Sequence, residues 1–269
     1  MYPETTAIIR DTVKRRYELI PYIYSLSLES HLTANPPQRW TGWGYESDPE
    51  VWASRTLKDG ETQYWLGDSL LICGVYEPNV SIARVYLPKG EEYISLNAPY
   101  QHLHGGQWVD IESKWDDNIP VLAKVGSAIP VGRPCQVLSA GEKENPAMLP
   151  LDDYRAVEIF PPRGSSQGKT YKNLWYEDDG VSPFTTKISE FNITYDCTDT
   201  EVHIQYREFL KGDFIPPWDS IDIILPVSDD RDVTLNGEKM DFLHKDKRSR
   251  KIFKSHSPQV RPPVPETMK

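Results

Sequence analysis

The sequence predicts a mainly β protein in which two antiparallel β-sandwich domains follow a helical segment. Within residues 4–32, apolar side chains recur at steps of three and four, the period of an amphipathic helix. After about residue 62, short apolar runs rich in β-branched and aromatic residues alternate with turn formers, a pattern typical of antiparallel sandwiches. The strand–helix alternation of a parallel α/β fold does not occur.

The helical segment contains a predicted interruption. Pro21 lies inside the apolar repeat, where proline removes a backbone donor and clashes with the preceding turn. We therefore expect a kinked helix or two short ones, ending at Asn35-Pro36-Pro37. Two β-sandwiches would not obviously cover the apolar face of this segment, and such a face needs packing to be stable. The segment thus predicts a missing partner, upstream in the same chain or on another chain.

Two groups of strands follow, separated by a Gly- and Pro-containing linker at residues 139–150. The strands of the first group are predicted at residues 70–76, 82–87, 93–96, 107–111, 120–123 and 128–131. Those of the second group are predicted at residues 154–160, 185–196, 201–206, 220–225 and 232–235. Residues 190–196 alternate polar and apolar side chains, as a half-buried strand does.

Charge separates the end of the chain from the rest. The formal net charge is −10, yet residues 245–269 hold eight Lys/Arg against Asp246 and Glu266, so this tail carries +6 and the remainder −16. An acidic body argues against nucleic acid as a partner, since phosphate binding needs a cationic surface. The tail is predicted to be solvated and disordered, although a basic tail can also bind polyanions.

Composition narrows the remaining function classes. No run of 18 apolar residues predicts a membrane span, and the first residues do not form a secretory signal, which leaves the location open. The three cysteines (Cys73, Cys135 and Cys197) are far apart and lack metal-ligand spacing, so no metal site or cofactor is predicted. His102 and His104 lie on one side of a predicted strand but lack a third ligand. We interpret them as part of a polar hairpin edge.

Six collinear segments resemble glycoside hydrolase family 31, a family of α-glucosidases and α-xylosidases. Residues 16–26 (RYELIPYIYSL) resemble the family's helix near the end of its catalytic barrel. The other five segments are residues 36–50 (PPQRW and then ESDPE), 63–72 (QYWLGDSLLI), 85–90 (VYLPKG), 123–130 (AKVGSAIP) and 175–180 (WYEDDG). Their order and spacing identify the chain as similar to the C-terminal part of such an enzyme.

The resemblance implies the domain organisation. Residues 1–43 would be the C-terminal remnant of a (β/α)8 catalytic barrel and residues 44–138 a proximal C-terminal β-sandwich. Residues 139–244 would form a distal β-sandwich, and residues 245–269 the basic tail. One more strand would be expected to close the distal sandwich, so the basic tail raises the hypothesis of an altered reading frame or retained intron.

The resemblance also implies where the chemistry is. Retaining glycosidases place two carboxylates about 5–5.5 Å apart around the scissile bond. In this family both precede the barrel helix, so no residue here is assigned a catalytic role. The acidic pairs Asp116-Asp117, Asp152-Asp153, Asp178-Asp179 and Asp229-Asp230 do not suit a catalytic pair, because neighbouring strand residues point to opposite faces. We interpret them, together with Glu177, as turns or solvated loops, since Asp179-Gly180 is a strong turn dipeptide.

Two residues are weak candidates for sugar contact in an intact enzyme. Arg39 and Trp40 would follow the last barrel strand, and barrel active sites lie at the carboxyl ends of strands. Packing at a domain interface is the alternative for both. The sequence also departs from the family here, because Trp40-Thr41 stands where Pro-Leu is common.

Three functions remain open. The chain is predicted to be the C-terminal part of a retaining α-glycosidase acting on terminal α-linked glucose or xylose, inactive alone. In that case oligosaccharide binds only with the barrel present. The alternatives are a non-catalytic carbohydrate-binding or structural β-sandwich protein, and the complementing half of a split glycosidase.

Overall fold

A computed structural model gives the structure of the protein. It describes residues 5–75, 77–97, 100–114, 119–134, 152–181, 187–211 and 214–255. The helices are α1 (Thr5–Glu18), α2 (Ile20–Thr33), α3 (Glu50–Ala53) and α4 (Arg55–Lys58). No helix of these ranges is long and apolar enough to cross a membrane.

The strands confirm a mainly β protein. The first nine are β1 (Gln38–Arg39), β2 (Gln63–Leu66), β3 (Leu70–Cys73), β4 (Ile82–Leu87), β5 (Glu92–Ser95), β6 (His102–His104), β7 (Gln107–Glu112), β8 (Val121–Lys124) and β9 (Ala128–Val131). The next nine are β10 (Arg155–Ile159), β11 (Tyr171–Glu177), β12 (Ser189–Cys197), β13 (Glu201–Phe209), β14 (Ile221–Pro226), β15 (Asp232–Leu235), β16 (Glu238–Lys239), β17 (Asp241–Lys245) and β18 (Arg250–Lys254).

The predicted break of the helical segment is confirmed, and it falls at Leu19. α1 ends at Glu18 and α2 begins at Ile20, so Pro21 occupies the first turn of the new helix. A proline is tolerated there because the N–H it lacks would have no intrahelical partner. α2 ends where Ala34 takes a left-handed conformation and donates its N–H to the Ser30 carbonyl oxygen.

The first β module encloses a core between a large sheet and a small one. The large sheet has the strand order β1-β2-β3-β8-β5-β6, and β4 pairs with β7 in the small one. All of these pairings are antiparallel. Side chains from both sheets form one apolar cluster: Trp65, Leu71, Cys73, Ala83, Val85, Leu87, Tyr93 and Leu122.

The second β module packs two five-stranded sheets against each other. Their strand orders are β17-β18-β14-β10-β9 and β11-β12-β13-β15-β16. β12 alternates buried and half-buried residues along its whole length, as the sequence pattern predicts. Most pairings in these sheets are antiparallel, as expected, but β10 pairs with β14 and β13 with β15 in parallel.

One strand joins the two β modules. β9 belongs to the first predicted group of strands, yet it pairs antiparallel with β10 in the second module, with Ala156 opposite Val131. The predicted linker at residues 139–150, which carries the proposed domain boundary, lies outside the described residues. The pairing of β9 with β10 crosses that boundary.

The prediction of a disordered tail from residue 245 is wrong for the described part of it. β18 pairs antiparallel with β14, and Ile252 and Phe253 are buried. β17 and β18 form a hairpin that supplies the additional strand expected for the distal sandwich. Composition misled here because Arg250 and Lys251 are buried with acidic partners instead of being solvated.

Candidate functional site

The inner face of α2 packs against both β modules. Tyr22 and Leu26 belong to an apolar cluster with residues of β3, β5 and β8 in the first module and of β9, β10, β14 and β18 in the second. The Tyr22 hydroxyl donates a 2.7 Å hydrogen bond to the Leu66 carbonyl oxygen. Gly67 permits this approach, because a Cβ atom there would lie 2.3 Å from the Tyr22 hydroxyl oxygen. The motifs at residues 16–26 and 63–72 therefore meet at this contact.

The outer face of the helical segment exposes apolar side chains. Ile20 and Tyr24, one turn apart on α2, are 49% and 40% exposed, and Leu32 is 45% exposed. Ile9 on α1 is 58% exposed. Large apolar side chains exposed on successive helices indicate surface that packs against further protein. We call these four residues the docking face.

An open groove of about 500 Å³ lies beneath α1. Its apolar wall includes Leu19 and Ile23 of the helical segment and Leu66, Ile72 and Val121 of the first sheet, all half-buried. Its charged lining residues are Arg15, Arg16, Lys247, Arg248 and Arg250 on the basic side and Asp11 and Glu158 on the acidic side. α2 thus covers only part of this sheet face, and the groove leaves apolar surface open beside the docking face.

A buried charge cluster fixes α1 to the second β module. Arg15 donates to Glu158 at 2.6 Å and to Glu18 at 3.0 Å. Arg250 contacts Glu18 at 3.0 Å and Glu158 at 3.3 Å. Burial raises the pKa of the Glu158 carboxyl, but the positive charges of Arg15 and Arg250 outweigh this effect and leave that pKa below its ordinary value.

The last hairpin contributes further contacts to this cluster. Arg248 binds both carboxylate oxygens of Asp11 on α1, at 2.9 and 3.1 Å. Asp246 accepts hydrogen bonds from the backbone N–H groups of Arg248 and Arg250. The sequence reasoning missed all of these residues, since it interpreted Arg248 and Arg250 as part of a solvated tail.

The acidic motif at residues 175–180 has two structural roles. Glu177 is buried and forms a bidentate pair with Arg155, at 2.8 and 2.7 Å. The interpretation of Glu177 as a solvated loop residue is therefore wrong. Asp178 and Asp179 do form the predicted turn, because their side chains accept the N–H groups of Gly180 and Val181. Tyr24 also donates to Asp178 at 2.6 Å.

Arg39, one of the two candidates for sugar contact, is buried. Its guanidinium pairs with Asp68 and, at 3.0 Å, with Glu29 of α2. Its Nε donates to the Pro36 carbonyl oxygen at 2.9 Å. These contacts join α2 to the turn before β3, so the visible role of Arg39 is to hold the helix on the sheet.

Trp40, the other candidate, is half-buried at the surface. Its ring lies 4.8 Å from the ring of Trp52, centroid to centroid, and packs against the small cluster of Val51, Leu57 and Tyr86. The structure thus places Arg39 and Trp40 in different environments. Trp52 is a further surface aromatic residue that the sequence reasoning missed, and its position in the short helix α3 gave no periodic signal.

The remaining sequence candidates do not converge on a reactive centre. Asp152, Asp229 and Asp230 each contact a basic side chain, from Arg155, Arg231 and Lys251 respectively. Asp116 and Asp117 lie outside the described residues, as does Cys135. No group of three His, Cys, Asp or Glu side chains able to hold a metal ion occurs in the ranges the structure describes.

Comparison with known proteins shows which protein family this chain resembles. Residues 34–129 match the model of the glycosyl hydrolase family 31 C-terminal domain. The chain is 33% identical to human neutral alpha-glucosidase C over 179 residues, which are 66% of this chain and 18% of that protein. It is 26% identical to alpha-glucosidase 2 of Bacillus thermoamyloliquefaciens over 241 residues, 88% of this chain and 27% of that protein.

Solved structures agree on the fold. A family 31 dextranase of Flavobacterium johnsoniae, complexed with glucose, superposes with a TM-score of 0.73 over 92% of this chain and 31% of its own, at 24% identity. The glucosidase II alpha subunit superposes with a TM-score of 0.62 at 13% identity, over 92% of this chain and 27% of its own. The chain therefore spans less than a third of the length of these proteins.

Proposed function

We propose that this chain, whose residues 34–129 match the glycosyl hydrolase family 31 C-terminal domain, is the non-catalytic C-terminal part of a retaining α-glycosidase. The intact enzyme would hydrolyse terminal α-linked glucose or xylose from oligosaccharides. The nucleophile and the acid/base would lie in a (β/α)8 barrel, encoded upstream or on another chain.

The docking face is the observation that supports this proposal best. Ile9, Ile20, Tyr24 and Leu32 are exposed on helices whose other side is packed and ion-paired to both β modules. A module that binds carbohydrate by itself has no use for such a face, whereas the last helix of a barrel needs one. In this proposal α1 and α2 complete the barrel, and the two β modules hold them in place.

The chemistry supports the same assignment. A retaining glycosidase needs two carboxyl groups that flank one bond, one of them raised in pKa to act as an acid. Among the described residues, the buried carboxylates Glu18, Glu158 and Glu177 are each bound by arginine. The buried carboxylates Asp48 and Asp222 are bound by the hydroxyl groups of Tyr86 and Tyr154. All five are therefore held in structural contacts, and we assign no catalytic residue in this chain.

The direct test is hydrolysis by the purified chain. Aryl α-glucosides and aryl α-xylosides should be turned over no faster than in buffer. The proposal would be refuted if the chain, purified to homogeneity, still hydrolysed these substrates and its rate saturated with substrate concentration. A variant that disrupts the docking face, such as Ile20→Asp with Tyr24→Asp, serves as a control for activity from a bound contaminant.

The split-enzyme alternative has its own test. The tagged chain is captured from its source cells and assayed for α-glycosidase activity. Activity that elutes with the wild-type chain, and that is absent from the Ile20→Asp/Tyr24→Asp variant, indicates a barrel on a separate chain. Activity that elutes equally with both proteins excludes docking through this face.

A further inference from the structure

A pair of tryptophans forms an exposed aromatic surface beside the first β module. Trp52 is 50% exposed, and the half-buried ring of Trp40 lies next to it. The carboxylates of Glu46 and Glu50 belong to the same short stretch of chain. We call these four residues the tryptophan patch. None of them belongs to the docking face or to the groove beneath α1.

Both rings of the tryptophan patch are held in fixed positions. The Trp52 Nε1–H donates a 2.9 Å hydrogen bond to the Glu46 carbonyl oxygen, which fixes the orientation of its ring. Trp40 lies against Gly42, where a Cβ atom would be 2.2 Å from the Trp40 ring. The two ring planes meet at 57°. The indoles therefore present a preorganised surface, which lowers the entropy that a ligand must overcome.

The chemistry of the tryptophan patch selects a neutral ligand with an apolar face. Since its only polar atom is already bound, the Trp52 indole offers carbon surface and π-electrons to a ligand. The C–H face of a pyranose ring matches that surface. Glu46 accepts the Gly44 N–H, and Glu50 accepts the Trp108 Nε1–H, which leaves further lone pairs on both carboxylates for sugar hydroxyls. Their negative charges disfavour anionic saccharides.

We propose that Trp52 and Trp40 form a platform that binds neutral α-glucan chains, with Glu46 and Glu50 accepting hydrogen bonds from hydroxyl groups. Only the choice of α-glucan rests on the proposed function. Arg39 takes no part, because its guanidinium is buried and bound to Asp68 and Glu29. The other possible occupant of this surface is protein, and the experiment distinguishes the two.

The test is native gel electrophoresis of the full chain in gels containing soluble starch, dextran or carboxymethyl dextran. We expect the neutral polysaccharides to retard the wild-type chain and carboxymethyl dextran to retard it less. Trp52→Ala should weaken the retardation at least about tenfold in apparent Kd, or about 1.4 kcal/mol. Trp52→Phe keeps an aromatic face, so its apparent Kd should lie between those of the wild type and Trp52→Ala.

Phe242→Ala is the matched control, because Phe242 is an aromatic residue of similar exposure, 53%, on β17. It should migrate like the wild type in every gel. Equal mobility of the wild type with and without neutral polysaccharide would overturn the proposal and leave a protein partner as the occupant. Equal retardation of wild type and Trp52→Ala would overturn it too. Neither result bears on hydrolysis, so failure here is distinct from failure of the proposed function.

Discussion

Glu18 and Arg250 lie 232 positions apart in the sequence, and their side chains form a 3.0 Å ion pair. Glu18 is the last residue of α1 and Arg250 the first of β18, and both are buried. Because Arg250 also contacts Glu158 and Asp246, one guanidinium connects the helical segment, β10 and the last hairpin. The helices are thus attached to the second module by these charges, and the apolar cluster of Tyr22 and Leu26 joins them to both modules.

Replacing Arg250 by methionine should destabilise the protein strongly. The substitution keeps much of the side-chain volume but leaves Glu18 and Glu158 buried with less positive charge. Breaking one partner of a buried ion pair costs about 3–5 kcal/mol of the free energy of unfolding. Urea denaturation followed by tryptophan fluorescence measures this loss.

The control for this experiment is Lys239→Met. Lys239 and Asp232 form a 2.7 Å ion pair in which both side chains are more than half exposed. Exposed pairs contribute at most about 1 kcal/mol. If both variants lost the same small amount of stability, the buried cluster would contribute no more than a surface pair, contrary to our expectation.

Acid should weaken the protein through Glu158. Burial raises the pKa of this carboxyl, but Arg15 and Arg250 outweigh burial and lower it overall. The unfolded chain has an ordinary pKa of about 4.3. The stabilisation is therefore fully present above that value and is lost as the pH falls through the lower pKa of the folded state.

The measurement is the urea midpoint between pH 7 and pH 3 for the wild type and Glu158→Gln. The variant should be less stable at pH 7 and should lose less of its stability toward pH 3. Parallel pH profiles for the two proteins would show that Glu158 does not carry this dependence.

Much of the fold was predictable because its signals are local. The break near Pro21, the alternation in β12 and the turn at Asp178-Asp179 each depend on a few neighbouring residues. Periodicity and turn chemistry express such preferences directly in the sequence. The family resemblance likewise rested on short motifs, and two of them meet at the contact between Tyr22 and Leu66.

The features that were not predicted depend on pairings between distant residues. The parallel pairing of β10 with β14 and the pairing of β9 with β10 are set by packing of whole sheets. Charge was the other source of error. Glu177 and Arg250 were interpreted as solvated, since composition does not show that each has a buried partner of opposite charge.

Gly67→Ala should test the contact between α2 and the first module. Gly67 has φ +60°, and an added Cβ atom would lie 2.3 Å from the Tyr22 hydroxyl oxygen. The left-handed backbone costs an alanine about 1–2 kcal/mol, and the steric conflict adds about 1–3 kcal/mol. Thermal or urea denaturation measures the total loss in the free energy of unfolding, which is the sum of the backbone cost and the steric cost.

Gly60→Ala separates the two contributions. Gly60 has φ +68° and no neighbouring atom within 4 Å of an added Cβ, so it carries the backbone cost alone. Tyr22→Phe introduced into Gly67→Ala should recover part of the steric loss. Equal destabilisation at Gly60 and Gly67 would argue against close packing of Tyr22 on this turn.

Ile252→Ala should show that the last strand belongs to the folded core. Ile252 is 6% exposed and packs in the cluster that contains Tyr22 and Phe160, so its truncation should cost about 2–5 kcal/mol. Leu243→Ala in the same hairpin is the matched control. Leu243 is 53% exposed, and its truncation should change the free energy of unfolding by less than about 0.5 kcal/mol. A disordered, solvated tail would make the two variants indistinguishable in urea denaturation, whereas a strand between β17 and β14 requires that only the Ile252 variant lose stability.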